Sequence, residues 1–174
     1  MQSLNILLAG DSYSGKTSAA HQLTDETPSV DPCATLKESW YFEATLQETK
    51  FMTKFQEIGS YQSLGFFQCP SDVDTIMLFF RMNDPESLEN VQDQRTLISV
   101  LHPGVPVLVV ATKIGTDFTD KSQSKDLSSE ISSAELTTFQ VTNITDPVSC
   151  AETFFKAFSM AATSKLDTEL KNDS

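Results

Sequence analysis

Positive charge is scarce in this chain: 12 Lys and Arg stand against 24 Asp and Glu in 174 residues, a formal charge of -12. A field of that sign repels nucleic acid and anionic lipid, so a non-specific nucleic-acid or membrane-surface binder is disfavoured. Cysteine is scarce too. Cys33, Cys69 and Cys150 have no metal-ligand spacing and no even count, so neither a disulfide framework nor a zinc site is expected, and a reducing, cytoplasmic address fits. No 18-residue apolar run occurs, and no basic leader precedes the short apolar stretch Leu4 to Ala9, so neither membrane spanning nor secretion is expected. Residue 2 is Gln where myristoylation needs Gly. The chain ends Leu170-Lys171-Asn172-Asp173-Ser174 with no prenylatable Cys, and a protein without a direct membrane anchor is expected.

What is present suffices for one packed domain. Hydrophobic residues make up 39% of the chain, 12 of them Phe, which is core material for a single unit and not for two. Three continuous apolar stretches, Leu4 to Ala9, Thr75 to Phe80 and Val105 to Ala111, read as strands covered on both faces. Glu38 to Leu46 and Phe51 to Glu57 read as an antiparallel hairpin turning over Gln47 to Lys50, and Thr138 to Thr142 as a further strand. Asp84-Pro85 and Asp146-Pro147 each pair an N-cap with a first-turn proline, opening helices to about Leu101 and Leu166. On the second, Val148, Ala151, Phe155, Phe158 and Ala162 form a stripe expected to pack on a sheet. Segments Thr24 to Thr35, Gly59 to Asp74 and Lys113 to Ser129 read as loops, the third running into a short helix. Strands alternating with helices predict an α/β fold, a wound, mostly parallel six-stranded sheet with helices on both faces and ligands beyond the carboxyl ends of the strands.

The sharpest motif follows the first strand. Gly10-Asp11-Ser12-Tyr13-Ser14-Gly15-Lys16-Thr17 is a full match to G-x-x-x-x-G-K-[ST], with a strand before and a helix after. A phosphate chain needs several backbone N–H groups converging on it. Gly10 and Gly15 permit that turn, the following helix aims its positive end at the anion, Lys16 supplies a point charge, and Thr17 supplies a hydroxyl to Mg²⁺.

From these residues outward the chain resembles the Ras superfamily of small GTPases, a P-loop fold. Thr35 lies eighteen positions after Thr17, the spacing of the family's switch I threonine, which touches Mg²⁺ and the γ-phosphate. Gly59 stands where the family closes Asp-x-x-Gly. Asn83 to Val91 looks like the start of the family's third helix, and His102 to Lys113 is similar to Rho-type sequences, although the 29-residue step from Lys113 to Thr142 is too short for the Rho insert. The resemblance implies a single G domain over 1–166 with a polar tail at 167–174. It also implies Mg²⁺ and GTP or GDP as ligands, and protein partners that meet the loops 25–37 and 59–74.

The departures fall on positions where the family does chemistry. Gln56 replaces the carboxylate that holds Mg²⁺ through water, and alternation turns the neighbouring Glu57 to the other face of its strand. Ser60 replaces the glutamine that positions water, Ser12 adds bulk where a glycine is usual, and neither Arg81 nor Arg95 falls in a switch loop to act as a finger. No catalytic residue is therefore assigned. Thr112-Lys113-Ile114-Gly115 lacks the aspartate that reads guanine, a loss of about 3–5 kcal/mol or ~10²–10⁴-fold in affinity. Asp117, two residues on, is a conceivable substitute, and Thr142-Asn143-Ile144 partly matches the last base-contacting motif. Asp11 reads as a solvated loop charge. The expectation is an atypical small G protein with a working phosphate loop and weak or absent hydrolysis. The alternative is a pseudoGTPase scaffold that binds no nucleotide; a kinase-type P-loop enzyme using ATP is a third class.

Overall fold

The computed structural model describes residues 1–24, 39–58, 71–113 and 137–172. Its elements run β1 (Gln2–Gly10), α1 (Lys16–His21), β2 (Ser39–Leu46), β3 (Thr49–Glu57), β4 (Thr75–Arg81), α2 (Pro85–Leu101), β5 (Val107–Lys113), β6 (Thr137–Asn143) and α3 (Pro147–Asn172). The strands form one six-stranded sheet in the order β2-β3-β1-β4-β5-β6. It is mixed: β2 runs antiparallel to β3, and the other four neighbouring pairs are parallel. An α/β architecture with a largely parallel sheet is thus observed. The helix expected after Lys113 falls in 114–136, outside the described residues.

Alternation along the three central strands sorts the core into two layers. Leu4, Ile6 and Leu8 of β1 join Met77, Phe79, Leu108 and Val110 on the face covered by α1 and α3. Leu7 and Ala9 join Ile76, Leu78, Phe80, Val109 and Ala111 on the face covered by α2 through Val91 and Ile98. Double coverage explains why β4 and β5 read as unbroken apolar runs.

The hairpin forms without glycine. Gln47 and Glu48 carry φ of 47° and 65°, both left-handed, so a two-residue type I′ turn joins Leu46 to Thr49. β3 therefore starts at Thr49, two residues earlier than expected. Alternation holds in β2: Trp40 is buried and edge-on to His21, Phe42 packs edge-on to Phe55, and Tyr41 faces outward.

Both capping expectations hold at α2 and α3. Asp84 Oδ1 accepts from the amides of Glu86 and Ser87, and Asp146 Oδ1 from that of Val148. The stripe expected on α3 does not hold. Val148 and Phe155 are 65% and 59% exposed, and the buried face is Cys150, Thr153, Phe154, Ala157, Phe158, Ala161 and Ala162. Two apolar stripes share Phe158 and Ala162, and the sheet takes the one whose middle is small, because Ala157 and Ala161 let the helix axis approach closely. α3 also continues to Asn172, past the end expected at Leu166. Lys165 Nζ donates to Ser3 O (2.7 Å), and Gln2 Nε2 donates to the Glu169 carboxylate, so polar contacts hold this last stretch against the start of β1. No helix among the described residues is long and apolar enough to cross a membrane.

Candidate functional site

Five parallel strands end at one rim, and the loop between β1 and α1 lies across it. Gly10 leaves β1 with φ 126°, and a Cβ there would lie 2.2 Å from Phe79 O of β4, so only glycine fits. Gly15, with φ 85°, caps α1 against the side chain of Ile144. Between them Tyr13 holds φ 56° while 77% exposed, a left-handed conformation costing a non-glycine residue about 1–2 kcal/mol.

Inside this loop sits Lys16, buried at 5% exposure, its ammonium donating to Asp11 O (2.7 Å) and Ser14 Oγ (3.3 Å). Burial pulls its pKa below the usual lysine value; the charges of Glu57 and Asp11 oppose that shift and Arg81 adds to it. A buried ammonium answered mainly by neutral oxygens gains from any anion that enters the loop.

The neighbouring Thr17 donates its hydroxyl to Glu57 Oε2 at 2.7 Å. Here the sequence expectation fails. Glu57, at 5% exposure, lies on the loop's side of β3, while Gln56 faces the opposite side, lining a pocket with Asn5, Lys54 and Asp72. The register explains it. Glu57 pairs with Leu8, whose side chain lies under α1 and α3, and Gln56 pairs with Leu7 on the α2 face. Spacing from Gly59 points to Gln56, and the strand register brings Glu57 to the loop instead. Phe51 and Phe55 share the parity of Glu57 and pack on the same face, and that parity was the available signal.

Thr112, at the end of β5, directs its hydroxyl to Ser14 O (2.8 Å) and Phe80 O (3.0 Å), so it fixes the loop's backbone. Lys113 is half-buried beside it, and its carbonyl accepts from the Ile144 amide. Thr142 is wholly buried, and its hydroxyl pairs with that of Thr153 on α3, so it points into the core and away from the rim. Asn143 Oδ1 accepts from both the amide and the hydroxyl of Thr145.

Asp11 is not a solvated charge. Arg81 Nη2 pairs with its carboxylate at 3.1 Å and Asn90 Nδ2 reaches it at 3.3 Å. In sequence Arg81 stands out only as one of two arginines outside the switch loops, because nothing local in Phe80-Arg81-Met82 indicates that the end of β4 adjoins the loop. Thr35, Gly59, Ser60, Gly115 and Asp117 lie outside the described residues.

Among the described residues no three His, Cys, Asp or Glu side chains converge to hold a metal. Thr17 and Glu57 instead offer one hydroxyl and one carboxylate side by side. That set suits Mg²⁺, which retains several waters and completes its shell with phosphate oxygens. Compared with known proteins, the chain matches no family model and no curated protein.

Proposed function

We propose that the chain is an atypical, small G-protein-like module that binds a Mg²⁺-nucleotide in the loop Gly10–Thr17, hydrolyses it slowly or not at all, and acts through protein partners. The observation that carries this reading is the buried Lys16 enclosed by a loop with positive φ at Gly10, Tyr13 and Gly15, with Thr17 bonded to Glu57. In this reading Lys16 answers the β and γ phosphates, Thr17 meets the cation, and Glu57 takes the acidic part that the sequence seemed to lack. Mg²⁺ supplies charge neutralisation for the phosphates when bound. Ser12 in the loop, and Ser60 in place of a water-positioning glutamine, support slow turnover. Weak base preference follows from Gly115 and from Thr142 and Asn143 being engaged within the chain. The resemblance assigns the partner surface to 25–37 and 59–74.

Calorimetric titration of nucleotide-stripped protein with GTP, GDP and ATP, with and without Mg²⁺, tests this. Mg²⁺-dependent binding, lost in Lys16→Ala, is expected, with single-turnover cleavage far slower than in ordinary small GTPases. Absence of binding at millimolar nucleotide sinks the proposal and leaves a scaffold that uses only the fold.

A further inference from the structure

Arg81 ends β4 with its side chain spread over the loop. Its Nη1 donates to Ser12 O at 2.6 Å, its Nη2 meets Asp11 Oδ2 at 3.1 Å, and its Nε donates to Asp84 Oδ2 at 2.9 Å. Asp84 is itself anchored as the N-cap of α2, and Asn90 of the same helix holds the other oxygen of Asp11. The guanidinium therefore has a fixed base on one side and the loop on the other. Thr112 grips the loop at Ser14, two residues further on. Tyr13, the one non-glycine residue of the loop with positive φ, lies between these two grips. A strained backbone persists only where its surroundings over-determine it, and here Arg81 and Thr112 hold the carbonyls on either side of Tyr13, alongside Lys16 on Asp11 O and Ser14 Oγ and Phe79 O on the Asp11 amide.

We infer that Arg81 is a positioning residue of the loop: by holding Ser12 O and pairing with Asp11 it fixes the conformation that receives a phosphate-type anion and cancels a carboxylate that would repel one. The inference rests on the phosphate-binding reading above for its ligand, and on geometry alone for its effect on the loop. A rigid fork is required, because one planar group serves three oxygens in different directions. Lysine places a single charge and cannot do this.

Tyr13 is a built-in reporter, since chymotrypsin cleaves after exposed tyrosines in flexible backbone, and Tyr41, 63% exposed on β2, is an internal reference. In the ligand-free full chain, Arg81→Met is expected to speed cleavage after Tyr13 at least tenfold, read as the 13-residue fragment by mass spectrometry, with cleavage after Tyr41 unchanged. Arg81→Lys falls in between and covers the case in which Arg81→Met does not fold. In calorimetry with Mg²⁺-GTP and with Mg²⁺-pyrophosphate, Arg81→Met weakens binding about tenfold, and Asp11→Asn in that background restores part of it, which a purely structural role would not do. Cleavage after Tyr13 within twofold of wild type in both variants overturns the inference. If the wild type binds neither probe, the functional proposal falls, and the cleavage ratio alone decides whether Arg81 holds the loop.

Discussion

The two halves of the rim are built in opposite ways. Around the loop, anchors arrive from three separate strands: Glu57 from β3, Arg81 from β4 and Thr112 from β5. Each addresses a different loop residue, and Gly10 fits against Phe79 without room for a methyl group. At the ends of β5 and β6 the polar groups turn inward: Thr142 to Thr153, Asn143 to Thr145, and the Ile144 amide to the Lys113 carbonyl. One half braces the backbone and side chains of the loop, and the other bonds within the chain beyond it. The difference teaches that, in the proposed reading, grip on an anion and discrimination of what is attached to it are separable, because β3 and β4 serve only the first and β6 only the second, with β5 shared between them.

The largest expected effect breaks the loop half outright. Gly10→Ala forces a Cβ into the Phe79 backbone and is expected to cost more than about 3 kcal/mol, seen as a fall in the urea midpoint or loss of soluble protein. A substitution of Gly10 tolerated without change would show that β1 and β4 are not tightly apposed there.

Lys16→Met is expected to weaken Mg²⁺-GTP binding about 100-fold, the loss of two charge-assisted hydrogen bonds, without destabilising the fold. The pH dependence has a definite sign. Burial lowers the folded-state pKa of Lys16 below the reference 10.5, so between the two values the unfolded chain holds more protons and stability rises with pH. Urea midpoints measured as pH rises toward the reference 10.5 should show that rise in the wild type and less of it in Lys16→Met.

A smaller effect sharpens the assignment within β3. Glu57→Gln should remove most of the Mg²⁺ enhancement of binding, about tenfold, while Gln56→Ala on the opposite face leaves it within twofold. The reverse pattern in titrations with and without Mg²⁺ would return the role to Gln56.

Smallest is the test of the inward-turned half. Thr142→Val should cost about 1 kcal/mol of stability, by removing one partner of a buried hydroxyl pair, and leave nucleotide affinity unchanged. A fall in affinity without a fall in stability would place Thr142 at the ligand after all.

Much of this molecule was legible before its fold. The buried strands β1, β4 and β5 announced themselves as unbroken apolar runs, Asp84-Pro85 and Asp146-Pro147 announced the starts of α2 and α3, and Gly10 to Thr17 announced a loop between a strand and a helix. These signals are local, carried by residues adjacent in sequence. The hairpin's glycine-free turn and the end of α3 were less legible. The first rests on cross-strand pairing that tolerates Gln47 and Glu48 in left-handed backbone, and the second on contacts from Lys165 and Glu169 to the start of β1.

What the sequence determined by itself was the order of elements, the covering of both sheet faces, and the place where glycine is obligatory, because periodicity, caps and the absence of a Cβ act within a few residues. What only the tertiary structure decided was which residues face the loop. Glu57 in place of Gln56, the buried turn of α3 toward Ala157 and Ala161, the inward rotation of Thr142, and the pairing of Arg81 with Asp11 are all choices between neighbours of similar chemistry. Each is settled by strand register or helix rotation, which depend on partners far away in the chain.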